Sequence, residues 1–343
     1  MTLSDTFYAQ NSGNDTLEIC LILFKKCNLD CQFCFQDRTQ DINTGYIRAI
    51  PLRIESDLAK LVESRHYRNI TYRIWGGELF SDDIPDEMFR EYENLVLGLR
   101  FLGDRIGVKS SFCFTSNLVF HNTQRVKSFL SRTFSVIATS YDPFYRFKDN
   151  KQVELWRDNV RQFNPDSISI TLTKQNIHEY TKDPSHLEFL KDYHVNIEYY
   201  IYNRKYQFFK PSEDDLYSFF VYCIVNKYYN ISEIKAIVES YRQSNGRYCT
   251  CNNSCLYLDG KLTFNCLRRS SNLPIFEFFT DIPAEEDYTE RQLTTALTRK
   301  SCLSCKNYTF CRMYCMASVL HKTYDPKNCA LYRVYDRIRD NKW

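Results

Sequence analysis

The chain carries no excess of either charge: 45 lysines and arginines against 42 aspartates and glutamates leave +3 over 343 residues. So balanced a composition makes no electrostatic case for a nucleic-acid or membrane partner. No apolar run reaches about 18 residues, the length of a membrane-spanning helix. The stretch before Leu17 is mostly polar and does not read as a secretory signal, so a cytoplasmic protein is expected. Glycine is scarce, at nine, and neither internal repeats nor low-complexity segments are present. Cysteine, by contrast, is plentiful at fifteen. An odd number spread along so long a chain makes a poor disulfide framework, and cytosolic thiols stay reduced. Metal or cluster ligation is the simplest reading, in a reducing, anaerobic setting.

The length suits one large α/β domain and a smaller one. Between 15 and about 200, apolar β-rich runs alternate with longer amphipathic stretches, the pattern of a parallel sheet covered by helices. Strands are expected near 17–24, 70–75, 109–115, 134–140, 166–172 and 194–201. Helices are expected near 53–65, 86–102, 122–131, 150–162 and 178–191. Six βα-type repeats suit an α/β fold of partial (β/α)6 barrel type, followed by a small C-terminal cysteine-rich domain. Residues 1–201 would form the barrel, 202–245 a helical bridge (212–227 and 231–244), and 246–343 the cysteine-rich domain. Within the last, Leu256 to Phe264 alternates around Asp259-Gly260, a strong hairpin signal.

Directly after the first strand stands Cys27-x₃-Cys31-x₂-Cys34. Three thiolates from one tight loop can hold three corners of a 4Fe–4S cubane and leave the fourth iron without a protein ligand. An open metal position does chemistry, whereas a filled one is usually structural. Zinc, or cysteines buried as small apolar residues, stands as the alternative reading of the triplet. After the second strand comes Trp75-Gly76-Gly77-Glu78. Two glycines there let backbone approach a ligand, and the glutamate offers an acceptor for an ammonium; a plain turn is the bland reading.

The triplet, with Phe33 as the aromatic before its third cysteine, resembles the signature of the radical S-adenosylmethionine enzymes. Gly76, Gly77 and Glu78 look like that family's GGE motif, which contacts the methionyl amino group. Thr115-Ser116-Asn117 resembles a TNG segment common after the third strand. The resemblance also implies that Ser140 and Arg146 touch the ribose and carboxylate; strand capping and a surface charge would equally explain them. In this family the open iron chelates S-adenosylmethionine, and one electron cleaves it to a 5′-deoxyadenosyl radical.

Further on, Cys302-x₂-Cys305-x₅-Cys311-x₃-Cys315, then Cys329, with Cys249, Cys255 and Cys266 upstream, resembles the SPASM extension of such enzymes. By that resemblance Cys249, Cys255, Cys266 and Cys315 would hold a first auxiliary cluster. Cys302, Cys305, Cys311 and Cys329 would hold a second. The implied cofactors are three 4Fe–4S clusters and S-adenosylmethionine. Two departures bear on the first auxiliary set: Gly260 is followed by five residues before Cys266, and Cys251 rivals Cys249. Two structural zinc sites are the alternative for this region. Cys20, Cys113 and Cys223 read as plain buried thiols.

SPASM proteins mostly act on peptides or proteins. The resemblance therefore implies hydrogen abstraction from a peptide carbon and an oxidative modification, such as a crosslink, in a ribosomally made precursor. The reductant would be a flavodoxin or ferredoxin. Fewer than about twenty residues precede the first strand, leaving no room for a winged-helix leader module; a separate leader-peptide-binding protein, or no leader, is then implied. The segment Tyr199 to Tyr206 would line a peptide groove or simply end a strand. Alternatives are an anaerobic sulfatase maturase forming formylglycine, a small-molecule radical dehydrogenase, and a non-enzymatic zinc module. The sulfatase enzymes place an aspartate after the cysteine that follows the hairpin; here that position is Leu267. Asp142 and Asp259 are candidate acids or bases with turn-forming explanations of their own.

Overall fold

The computed structural model describes residues 15–34, 42–200, 208–243, 254–258, 261–264, 305–307, 311 and 328–340. Six strands, β1 (Thr16–Ile22), β2 (Asn69–Trp75), β3 (Lys109–Thr115), β4 (Val136–Ser140), β5 (Ile168–Leu172) and β6 (Val195–Tyr199), pair in parallel in chain order. They form a half-barrel. Between them run α1 (Thr44–Arg65), α2 (Asp86–Ile106), α3 (Thr123–Thr133), α4 (Asn150–Phe163), α5 (Lys174–Lys182) and α6 (Ser185–Leu190). Then come α7 (Glu213–Val225), α8 (Ser232–Gln243), the hairpin strands β7 (Ser254–Leu258) and β8 (Lys261–Phe264), and α9 (Ala330–Arg339). The hairpin does not stand apart: β7 pairs in parallel with β1, from Glu18 opposite Ser254 to Leu21 opposite Tyr257. One eight-stranded sheet results, in the order β6-β5-β4-β3-β2-β1-β7-β8.

Strand alternation divides the sheet into two faces. Leu17, Ile19, Leu21, Ile70, Tyr72, Ile74, Phe112, Phe114, Ile168 and Ile170 are fully or almost fully buried under the helices. Each such side chain contributes roughly 1.5–3 kcal/mol of apolar burial. The opposite face carries Glu18, Thr71, Arg73, Ser111, Ser140, Ser169, Thr171, Asn196 and Glu198. Parallel sheets are usually apolar on both faces. A polar inner face therefore marks a lumen rather than a second core.

Helix starts follow local chemistry. Asn43 accepts from Tyr46 N at 3.0 Å, Asp149 from Gln152 N at 3.0 Å, and Thr173 from Asn176 N at 3.0 Å, while Ser212 and Asp215 form a capping box. Three departures from the sequence expectation have physical causes. α1 begins nine residues before the expected 53, because Pro51 is accommodated inside it; a Cβ on Gly98 of α2 would lie 2.9 Å from the Pro51 ring. The helix expected at 178–191 is two, broken at Asp183-Pro184, where proline lacks the amide that a continuing helix needs. α9 was not expected at all; it packs on α7, where Glu213 accepts from Ala330 N at 2.9 Å.

The outer edge of β6 is covered rather than bare. Val195 N donates to Asn230 O at 3.0 Å, and Ile197 N donates to the Glu233 carboxylate at 2.9 Å. Burial pushes the Glu233 carboxyl up to about 7.

Candidate active site

All the loops that build the site leave the carboxyl ends of the strands, where half-barrels and barrels carry their chemistry. The cysteine loop after β1 is zipped to the turn after β2: Leu23 N donates to Trp75 O at 3.0 Å, Gly77 N to Phe24 O at 2.8 Å, and Glu78 N to Lys26 O at 2.8 Å. This contact explains the glycines. A Cβ on Gly76 would stand 2.6 Å from Phe24 O, and one on Gly77 only 1.8 Å from Lys26 O. Here the close approach is between two protein backbones.

Glu78 then locks the third loop. Its carboxylate is fully buried and accepts from Phe80 N at 3.0 Å, Ser116 Oγ at 2.7 Å and Asn117 N at 2.5 Å. Burial raises its carboxyl to about 7, against those three donors, which lower it. With these three bonds the carboxylate acts as an internal strut between the loops after β2 and β3. Asn117 carries the lock back to the cysteines: its Nδ2 donates to Asn28 Oδ1 at 2.7 Å and lies 3.8 Å from Cys27 Sγ. Asn28 in turn donates to Val119 O at 2.7 Å, and Leu29 N donates to Cys27 Sγ at 3.4 Å.

The loop after β4 closes the other side. Asp142 is fully buried and accepts from Arg146 Nε at 2.8 Å, Thr171 N at 2.7 Å and Asn176 Nδ2 at 3.1 Å. Those donors occupy both of its oxygens, and Asp142 clamps Arg146. The Arg146 guanidinium lies 5.6 Å from the centre of the Phe33 ring, and Gln32 N donates to Tyr145 O at 3.4 Å. Ser140 ends β4 on the lumen face, opposite Ser169.

No family model matches the sequence, and no curated protein matches it. Solved structures do. Native anSMEcpe with bound AdoMet aligns with a TM-score of 0.65 and 14% identity, over 94% of this chain and 98% of that one. anSMEcpe with bound AdoMet and the Cp18Cys peptide gives 0.61 and 15%, over 94% and 97%. SuiB of Streptococcus suis gives 0.51 and 14%, over 95% of this chain and 81% of that one. The chain has the fold of anSMEcpe and SuiB.

In that fold the triplet offers a donor set that fits a cubane. Cys27, Cys31 and Cys34 share one loop, and Cys31 interacts electrostatically with both of the others. Burial pushes the Cys27 thiol up to about 11 and raises that of Cys31, so cluster assembly must displace the proton of Cys27.

The structure thus gathers Cys27, Cys31, Cys34, Gly76, Gly77, Glu78 and Arg146 about one loop. Of the proposed auxiliary ligands, Cys305, Cys311 and Cys329 are described, and the backbone of Cys255 lies in β7 opposite Ile19. Cys249, Cys251, Cys266, Cys302 and Cys315 lie outside the described residues, as do Asp259 and Leu267. Cys305 and Cys329 are tied to one helix: Asn307 Nδ2 donates to Tyr332 O at 3.2 Å, Lys306 pairs with Asp336 at 3.0 Å, and Cys329 caps α9 through Tyr332 N. Cys20, Cys113 and Cys223 are buried thiols, as expected. The clasp residue Asn28 and the lumen charges Glu18, Arg73 and Glu198 escaped the sequence reading. Their signal was there: charged residues at alternate positions of otherwise apolar strands.

Proposed function

We propose that this protein is an enzyme that reductively cleaves S-adenosylmethionine, takes hydrogen from a carbon of a ribosomally made peptide and leaves an oxidative modification, most simply a crosslink. The single observation that carries the reading is the interlock of the cysteine loop with the Gly76-Gly77-Glu78 turn at the carboxyl ends of a half-barrel with a polar lumen. A 4Fe–4S cluster held by Cys27, Cys31 and Cys34 supplies the electron and an open iron for S-adenosylmethionine. The protein's own part is positional. Glu78, Ser116, Asn117 and Asn28 fix the loop, while Asp142 holds Arg146 against Phe33 on its far side, next to Ser140, for contact with the cofactor.

A peptide substrate is supported by the likeness to anSMEcpe, which is seen with bound peptides. Two auxiliary clusters, on Cys249, Cys255, Cys266 and Cys315 and on Cys302, Cys305, Cys311 and Cys329, would take the electron lost by the oxidised substrate. A small electron carrier such as flavodoxin or ferredoxin would reduce the first cluster. Among the described residues no helix is long and apolar enough to cross a membrane.

Anaerobic incubation with S-adenosylmethionine and dithionite tests the first half. 5′-Deoxyadenosine should form with wild type and not with the Cys27→Ala/Cys31→Ala/Cys34→Ala variant. For the second half, peptides encoded beside the gene are added and weighed. A product lighter by a pair of hydrogens supports a crosslink, and formylglycine in a sulfatase-derived peptide would replace the crosslink reading.

A further inference from the structure

Three acidic side chains and two arginines meet in and above the lumen, and they do not cancel. Arg73 on β2 is bound by Glu18 on β1. Arg146 is bound by Asp142. That leaves Glu198 on β6, which has a hydrogen bond from Ser169 of β5 and, among the described residues, no ion-pair partner. Strand register and alternation put Glu198 on the same face of the sheet as Arg73. Its side chain is open to water, yet protein surrounds it closely enough to hold the carboxyl above the ordinary glutamate range.

Register places this carboxylate at the level of the chemistry. Glu198 pairs with Thr171, whose N–H donates to Asp142; Asp142 clamps Arg146, and Arg146 lies over Phe33 between Cys31 and Cys34. β6 is also the outermost of the six parallel strands. Once substrate displaces water, an unpaired carboxylate there is costly, unless the substrate brings the opposite charge.

We infer that Glu198 is the substrate-recognition carboxylate of the site, anchoring a positively charged group of the bound peptide: a lysine or arginine side chain or a free amino terminus. The inference rests on the peptide-modifying reading above. Glu18 and Arg73 satisfy one another on the wall of the lumen and have no share in this selection.

Three short probes test it: acetyl-Gly-Lys-Gly-amide, the same peptide with norleucine, and the same with glutamate. Binding is measured by equilibrium dialysis on the reconstituted, S-adenosylmethionine-loaded protein. Wild type should favour lysine over norleucine by about tenfold, the size of one charge-assisted contact in a partly desolvated site. Glu198→Gln should bring that ratio to near one. Glu198→Lys should shift preference to the glutamate peptide, an outcome that a misfolded variant cannot produce. No lysine preference in wild type, or an undiminished preference in Glu198→Gln, overturns the inference. So does a Glu198→Gln protein that keeps the preference but loses affinity for S-adenosylmethionine, which would assign the carboxylate to the cofactor pocket. Deoxyadenosine formed by the same wild-type batch separates the two readings. If it forms without lysine preference, only the Glu198 inference fails; if none forms, the enzymatic reading itself fails.

Discussion

Two residues show how little chemistry separates a working site from a broken one. At Gly77 a single added methyl carbon would lie 1.8 Å from a backbone carbonyl, Lys26 O, and no rotamer change relieves a backbone clash. Gly77→Ala must therefore push the cysteine loop off the β2 turn. The expected outcome is loss of the iron held by the triplet, about four atoms per chain, with far-ultraviolet circular dichroism unchanged. Iron retained at the wild-type level would show that the loop tolerates the separation. Glu233 gives a pH signature. Its carboxyl rises to about 7 in the folded chain, mainly through burial, from 4.5. A raised carboxyl means that the folded state holds the proton more tightly, so its stabilising contribution is full below about pH 4.5 and is lost as pH rises through 7. Glu233→Gln keeps an acceptor for Ile197 N without the charge. It should match wild type near pH 5 and exceed it at pH 8 by on the order of 2 kcal/mol, read from Tm across that range.

Among the elements, those with simple periodicity were legible in advance. The β3 strand was placed at 109–115 as found, because its apolar run ends in the polar Thr115-Ser116-Asn117. The start of α1 was hidden by Pro51, which reads as a breaker but is seated against Gly98 of another helix. Such tertiary accommodation leaves no local trace. The site was half legible. Cysteine spacing and the GGE turn pointed to residues that the structure brings together, but the inward hold on Glu78 depends on Ser116 and Asn117, 38 and 39 residues away. α9 was missed because its hold is also remote: Glu213 caps Ala330 N, and Arg333 both pairs with Asp214 and lies 4.0 Å from the Tyr217 ring centre. Loss of that cap should cost about 1 kcal/mol. Glu213→Ala should therefore speed amide exchange across 330–339 by roughly fivefold while leaving β1–β3 protected. Equal acceleration in both regions would mean that α9 opens only with the whole molecule.

At the scale of the whole molecule the question is whether one cluster or three sit on this chain. The sheet argues for a physical link between the two cysteine-rich regions. β7 carries Cys255 and hydrogen-bonds to β1, the strand that feeds the triplet, so the hairpin is bolted to the catalytic half. α9 presents Cys329 and holds the Cys305 turn through Asn307 and Lys306, while packing on α7 beside the half-barrel. Eleven thiolates, three in the triplet and eight in two closed sets, predict about twelve iron atoms per chain. The Cys27→Ala/Cys31→Ala/Cys34→Ala variant should retain about eight, since neither closed set uses those thiols. Cys329→Ala should lower the count by about four and leave deoxyadenosine formation intact, because the triplet is untouched. Iron and sulfide analysis of the three reconstituted proteins distinguishes the cases. A wild-type count near four that vanishes in the triple variant would leave a single-cluster enzyme, whose C-terminal cysteines serve zinc or structure. In that event the substrate electron would have to leave through the first cluster itself, or not leave at all. Only in the second case would the product be redox-neutral relative to the substrate, with the expected mass loss in the peptide absent.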